Sequence, residues 1–409
     1  MTLRRAGLWA LSFVGLVAAF IFGKVQGGFL AWFIFAFMLV LCLYELVTAL
    51  VGLRFVESER RISATRISAG QSLRIQLIVE RRGWWPLVWL RVQDDLPQRW
   101  ALAVYGNERV LLPLWARQID YTYQINNVQR GVYHIGRTVL QSGDLLGLMT
   151  QQREHERLDS VIVYPRVVPV RGWSTTHPEE LGMRESTRRR SEESTNVLGV
   201  RDYVPGDRLS RIHWPATARR GALLAKEFEM HVSSDLLFVP DVSMMSYRGL
   251  DPAIFELAMT VVASLLKHAY ERHRKFSLTL HGNTLQRFPS GSDEALFLHC
   301  LEALAVASPD GKTPFAQSLL RIAQEAPAGT IVVVVSPSLD KQMVVTAEQM
   351  RRRTPLEWFA PIVQNELTAD QRNSIRLLES MRVPVYPLRQ AEQLSQLVRG
   401  GGHHAANVR

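Results

Sequence analysis

The stretch Gly199–Phe228, GVRDYVPGDRLSRIHWPATARRGALLAKEF, separates two kinds of sequence. It is too polar for a core strand, and Pro205, Gly206 and Pro215 break it too often for one helix. It is dense in groups that bond directionally: alternating Arg and Asp, a Tyr, a His and a Trp. Upstream the pattern is apolar and then strand-like; downstream, strands and helices alternate. The stretch therefore marks a junction that any account of function has to explain.

At 409 residues the chain has room for two globular domains and a membrane anchor. Its two cysteines, Cys42 and Cys300, are far apart in apolar surroundings, which offers neither a disulfide framework nor a metal cluster. The net charge of +10 is uneven, with ten Lys/Arg against five Asp/Glu between Arg184 and Lys226. A basic surface of this kind suits anionic lipid, nucleic acid or an acidic protein; a solvated, self-paired loop is the plainer alternative.

Ala6–Gly23 and Phe29–Leu53 are apolar runs joined by Lys24-Val-Gln-Gly-Gly28. Each matches the ~30 Å bilayer core in helical form, and so short a turn makes them an antiparallel hairpin over 1–54. Arg4 and Arg5 precede the first run and Arg54, Arg60 and Arg61 follow the second, so the positive-inside rule places both ends in the cytoplasm. The expected location is the cytoplasmic membrane, with the remaining domains inside. Glu45 within the second run is read as neutral, interfacial or bonded to a neighbouring helix, rather than as part of an ion path.

Over 55–165 the period shortens to two. Ser72–Glu80, Val88–Gln93, Arg109–Leu114, Asp120–Ile125, Gly131–Ile135, Thr138–Gln141 and Val161–Tyr164 read as strands with no helix between them, an antiparallel β-sandwich. Trp84, Trp85 and Trp89 are either an exposed patch beside the membrane or ordinary core and interface aromatics. Residues 166–232 are the basic linker and the opening stretch, and 400–409 a disordered tail.

Residues 233–399 carry the alternation of a doubly wound α/β domain. The apolar strands are Leu236–Pro240, Phe276–His281, Thr330–Val335, Glu357–Val363 and Val383–Pro387, with a brief one at Gln286–Phe288. Helices are expected over Pro252–His273, Ser292–Ala305, Pro314–Glu325 and Ala391–Val398, and Thr368-x-x-Gln371 has the spacing of a capping box. In such sheets chemistry sits at the carboxyl ends of strands, where Asp241-Val-Ser243-Met-Met245-Ser246 follows the first. A magnesium site from one Asp and hydroxyls is chemically reasonable there; a loop held by its own side chains is the alternative.

Gly199-Val-Arg201-x-Tyr203-x-x-Gly206-Asp207, Arg211-Ile-His213-Trp214, Ala218-Arg219 and Leu224-x-Lys226-x-Phe228 resemble the signature of the "domain of unknown function 58" family. Arg130-Gly131-Val-Tyr133, Ser142-Gly-Asp144-Leu-Leu-Gly147-Leu148 and Val163-Tyr164-Pro165 resemble its markers in the β-domain. The resemblance implies a von Willebrand factor A-like C-terminal domain and association with MoxR-type AAA+ ATPases and membrane transglutaminase-like proteins. It also implies an adhesion-type metal loop of the form Asp-x-Ser-x-Ser, plus a Thr and a second Asp. Asp241 and Ser243 match and Thr313 is available, but Met245 replaces the second serine, and Ser336-Pro337-Ser338 holds no Asp. The expected site is thus degenerate, holding at most a weak magnesium ion.

Asp202, Asp207 and His213 lie among arginines without a nucleophile or a metal-spaced partner, so ion pairs and packing are expected in preference to catalysis. Arg188–Arg190 and Arg219–Arg220 can hold phosphates, but the interleaved acids and the absence of a nucleic-acid module argue against nucleic acid. The expected protein is a non-catalytic adaptor or assembly factor. It binds partners through Arg201, Tyr203, Gly206, Asp207, Arg211, His213, Trp214, Arg219 and Lys226. The alternatives are a nucleic-acid- or anionic-lipid-binding protein and, behind those, a metal-dependent hydrolase.

Overall fold

Phe29–Val51 forms an uninterrupted helix because its 23 residues are almost all apolar and contain neither Pro nor Gly. In the computed structural model it is α2, preceded by α1 (Thr2–Gln26). The structure describes residues 2–101, 107–145, 147, 149–173, 197–204, 210, 212–228, 235–327, 329–351, 353–362 and 367–397. α2 is long and apolar enough to cross a bilayer, and only 11% of its most apolar window is buried by protein. Pro252–Glu271 passes the same length and hydropathy test but is 67% buried, which marks it as a core helix. Glu45 lies on the buried stripe of α2 with Ala31 and Thr48, so its carboxylate faces protein.

Two units divide the chain, residues 1–164 and 165–409. In the first, β1 (Val56–Ile62), β3 (Leu73–Arg81) and β6 (Gln118–Ile125) form one sheet in the order β1-β3-β6. β2 (Arg66–Ser68), β7 (Gly131–Ile135) and β10 (Asp159–Tyr164) form a second, ordered β2-β10-β7. β4 (Leu90–Asp94), β5 (Glu108–Leu111), β8 (Thr138–Gly143) and β9 (Thr150–His155) form the third, ordered β5-β4-β8-β9. Alternate residues of all three turn inward to one core that includes Leu73, Leu90, Tyr133, Leu140 and Val163.

Four departures from the sequence expectation stand out in this unit. A short helix, α3 (Gln98–Ala101), interrupts the strands, and β2 pairs with β10 in parallel. The strand Thr150–His155, TQQREH, was not expected, since no apolar alternation announces it. Arg60 is the largest correction. Read as a charge flanking the membrane span, it is buried on β1, with its guanidinium on Asp94 at 2.8 Å and on Asp159 at 3.2 Å.

The second unit is built on a six-stranded sheet ordered β15-β14-β13-β16-β17-β18. Its strands are β13 (Leu236–Pro240), β14 (Phe276–His281), β15 (Leu285–Gly291), β16 (Ile331–Val335), β17 (Leu356–Pro361) and β18 (Val385–Leu388). All pairs are parallel except β14 with β15 at the edge. Wholly buried strands such as β16, IVVVV, are what a sheet covered on both faces requires. One face packs against α8 (Phe315–Glu325) and α9 (Lys341–Arg351), through Leu319, Ala347 and Trp358 among others. After the short α5 (Met244–Tyr247), α6 (Pro252–Glu271), started by Asp251 accepting the Ala253 amide at 2.8 Å, is a second core helix. α7 (Glu294–Val306) follows β15, and α10 (Ala369–Ser380) opens on the expected Thr368–Gln371 capping box. The helix expected over Ala391–Val398 is instead a 3₁₀ turn, Ala391–Gln396, and α9 was not anticipated.

Residues 165–173 lie against this second unit. The Val168 amide donates to Ser264 on α6 at 3.0 Å, and Trp173 stands edge-on to Phe359 while its indole N–H donates to Glu357. Gly172 adopts φ +77°, and a Cβ there would lie 1.7 Å from the Leu397 carbonyl oxygen, so only glycine fits. The basic run Arg188–Glu193 and the tail 400–409 fall outside the described residues.

Candidate functional site

The sheet reverses its direction of winding between β13 and β16, and doubly wound sheets bind ligands in the crevice at such a switch point. Asp241 occupies that point as the first residue beyond β13, and its amide donates to the Val335 carbonyl at 2.8 Å. Its side chain is fully buried. One carboxylate oxygen accepts the Ser243 amide at 2.9 Å and the other the Ser336 hydroxyl at 2.6 Å. Burial pushes its pKa up to about 6, against the pull of the Ser246 and Ser336 hydroxyls and the Ser243 amide, while the charge of Asp340 pushes the same way as burial.

Ser243 turns its hydroxyl to the Thr313 carbonyl at 3.0 Å, and its backbone bridges to Gly311. The fold thus gathers Asp241, Ser243 and Thr313, with Thr313 contributing its main-chain oxygen to that bond. Pro337 stands nearest the place of the absent second aspartate, and Ser336 before it accepts the Ser338 amide on its hydroxyl at 3.1 Å. Ser246 belongs to the loop whose hydroxyls the sequence offered, whereas Ser336 as a partner of Asp241 was missed although it directly follows an apolar strand. Tyr247, buried beside them, has a hydroxyl with no hydrogen-bond partner among the described residues, and burial, reinforced by the Asp241 charge, holds its proton on. Met244 and Met245 are more than half exposed.

These donors do not fit a hard divalent ion well. A single carboxylate, both of whose oxygens already accept hydrogen bonds, is accompanied by hydroxyls that are turned toward protein acceptors. Among the described residues there is no group of three or more His, Cys, Asp or Glu able to hold a metal.

Gly199–Phe228, too polar for a core strand, takes part in a two-stranded ribbon that the sequence did not announce. β11 (Val197–Asp202) and β12 (Leu224–Phe228) pair antiparallel, with Val200 opposite Lys226 and Asp202 opposite Leu224. Ile212, Leu224 and Ala225 bury the inner side of this ribbon. α4 (Trp214–Arg220) is carried between the strands. His213 is its N-cap, with Nδ1 accepting the Ala216 amide at 3.1 Å, and Gly221 closes it at φ +70°. Thr217 ties the helix back by accepting the Leu224 amide at 3.0 Å. Despite these fixtures, none of its seven residues is buried; Trp214 is 62% exposed, with Arg219 and Arg220 beside it in solvent. Arg201 donates to the Asp202 carbonyl at 3.1 Å, and the Tyr203 amide to the Leu223 carbonyl at 3.0 Å. Gly206, Asp207 and Arg211 lie outside the described residues.

An apolar N-terminal helix pair, a strand-rich unit and a doubly wound α/β unit bearing a capped, outward-facing ribbon define a modular class of chain. The family model described as "Protein of unknown function DUF58" matches residues 199–356, spanning both the ribbon and the switch-point loop, so this part of the chain is similar to that family. Uncharacterized protein YeaD of Bacillus subtilis (strain 168) is 29% identical over 353 residues, covering 83% of this chain and 85% of the relative. Among solved structures, proximal thread matrix protein 1 of the mussel byssus aligns at TM-score 0.29 and 10% identity, over 40% of this chain and 45% of that one. The CARDB domain of the PF1109 protein of Pyrococcus furiosus aligns at TM-score 0.19 and 13% identity, over 27% of this chain and 94% of that one.

Proposed function

We propose that this protein is a membrane-anchored adaptor whose C-terminal unit, von Willebrand factor A-like with a degenerate metal loop, faces the cytoplasm and binds partner proteins. The observation that carries the reading is α4. A helix capped at both ends and pinned by Thr217, yet contributing no buried residue, adds little to a core. Its design suits holding Trp214, Arg219 and Arg220 in a fixed constellation, and Trp and Arg are the side chains that most often dominate protein interfaces. The positive charge favours an acidic partner. The family resemblance supplies its class, a MoxR-like AAA+ ATPase, with a transglutaminase-like membrane protein as a further associate.

The signature residues act by positioning and recognition in this reading, and Asp241 with its hydroxyls fixes the switch-point loop without a metal. The test is a pull-down from solubilised membranes with the wild-type chain and with Arg219→Ala/Arg220→Ala. The double variant is expected to lose an ATPase-class partner while keeping its circular dichroism spectrum. Equal recovery of that partner by a folded variant would sink the proposal.

A further inference from the structure

Pro113-Leu114-Trp115-Ala116 is a tight turn, closed by the Ala116 amide donating to the Pro113 carbonyl at 2.8 Å. Leu114 takes its first central position at φ +49°, where turn sequences favour Gly, Asn or Asp. The leucine side chain is nevertheless 52% exposed and Trp115 next to it 69%. A strained backbone that displays two large apolar groups at its tip points to function, because a soluble turn gains nothing from either choice. The Arg81 guanidinium gathers the surroundings, donating to the Trp115 carbonyl at 2.8 Å, to the Ala116 carbonyl at 3.2 Å and to the Trp85 carbonyl. Trp84, 70% exposed, and Phe55, 47% exposed, are thereby drawn to the same corner, with the Arg82 amide donating to the Phe55 carbonyl at 2.9 Å.

This corner is fastened to α2. The Trp85 indole N–H donates to the Thr48 hydroxyl at 3.0 Å, and its ring lies 5.8 Å from that of Tyr44. Thr48 and Tyr44 lie in the last two turns of α2, roughly 5 and 10 Å before its end at ~1.5 Å per residue. The helix, at about 35 Å, exceeds a ~30 Å hydrocarbon core by about one turn, so its final turn falls at headgroup depth. The Arg54 guanidinium, 5.8 Å from the Phe55 ring, and the exposed Arg117 border the patch, the aromatic and cationic composition of a membrane boundary.

We infer that Trp84, Leu114 and Trp115 form a wedge that enters the bilayer interface beside α2, so that the β unit itself contacts lipid. The occupant is the bilayer because the patch is fastened through Trp85 to the end of α2, where the helix exposes the apolar Leu46 and Leu50. This rests on the membrane-anchor reading, and the experiment separates the two. The full chain carrying Cys42→Ala, with fully buried Cys300 retained, is spin-labelled singly at Trp84→Cys, Leu112→Cys, Trp115→Cys, Phe37→Cys or Glu156→Cys. Each is reconstituted in nanodiscs of mixed phosphatidylcholine and phosphatidylglycerol, and oxygen and nickel-chelate collision rates are measured by electron paramagnetic resonance. Positions 84 and 115 are expected to give an oxygen-to-nickel ratio severalfold above that at 156 and closer to that at 37. Position 112, 73% exposed, serves as a neighbouring site if either tryptophan variant misfolds. Ratios at 84 and 115 matching 156, while 37 reports lipid, overturn the wedge and leave the anchor standing. Shielding of both from both reagents means a second protein surface covers them and also overturns it. A water-like ratio at 37 removes the anchor reading and the wedge together.

Discussion

Asp94 in the β unit and Asp241 in the α/β unit are both buried to 1% exposure or less, yet their surroundings share little. Asp94 meets a cation: Arg60 bonds both its oxygens, at 2.8 and 3.2 Å, and the Tyr123 and Thr138 hydroxyls add bonds of 2.6 Å each. Burial alone would lower the Arg60 pKa, but Asp94 and Asp159 more than reverse it. Asp241 meets two hydroxyls and an amide in place of a cation among the described residues, and burial raises its pKa to about 6. One carboxylate is locked in a charge pair that joins β1, β4 and β8; the other is poised to change protonation near neutral pH. A buried pair of the first kind specifies one arrangement of strands, whereas an acid of the second kind stays sensitive to its environment.

Removing the cation's partner should produce the largest effect. Asp94→Ala leaves the Arg60 guanidinium buried and is expected to cost about 3–5 kcal/mol, read as faster hydrogen exchange in β4 and β8 with β13 and β16 unaffected. A cost under about 1 kcal/mol would mean that Asp159 alone suffices, and the contrast would fail.

Asp241→Asn should act in the opposite direction. The folded state holds the Asp241 proton up to about pH 6, whereas the unfolded carboxyl releases it near its ordinary value of 3.8, so the folded state binds more protons between them. Stability therefore falls as pH rises from about 4 to 6 and is flat above, a loss of about 3 kcal/mol. Asparagine keeps the amide bond and can donate to Ser336, so the variant is expected to be more stable at pH 7 and to lose the slope, as followed by denaturant midpoints of the second unit. If the wild-type chain shows no slope there, or if the variant is destabilised, Asp241 is held as an ion by something else.

Ser336→Ala is the finest probe. It removes one donor to the ionised form, which should cost about 1 kcal/mol at pH 7, with less effect at pH 4, and move the titration midpoint upward. An equal cost at both pH values would assign Ser336 a packing role instead.

Much of the α/β unit was legible because its strands are unmixed apolar runs: Leu236–Pro240 and Phe276–His281 lie where the pattern put them. The capping box at Thr368 was equally readable, since its two residues act locally. Val56–Ile62, VESERRI, was not legible because an arginine holds a core position that pattern reading reserves for an apolar side chain. Thr150–His155 escaped because its half-buried Gln151 and Arg153 are polar and bond the chain at the end of α2, outside its own sheet. At the candidate site Asp241 and Ser243 were readable from their place after an apolar strand, whereas the bond from Ser336 depends on β13 and β16 being neighbours. The two strands of the signature ribbon hid because each has only a few apolar residues, and they stabilise one another across more than twenty intervening positions.

Those outward-working side chains on β9 also bear on the making of the protein. Gln151 donates to the Thr48 and Ala49 carbonyls and accepts the Leu53 amide, and Arg153 donates to the Leu53, Arg54 and Val56 carbonyls at 2.7–3.1 Å. The open carbonyls at the end of α2 are thus closed by residues about a hundred positions later in the chain. At about 5–20 residues per second, a ribosome takes on the order of 5–20 s to deliver them. Throughout that interval the nascent helix end must stay hydrated, and the last turn of the apolar segment becomes fixed only when the β unit has been synthesised and folded onto it.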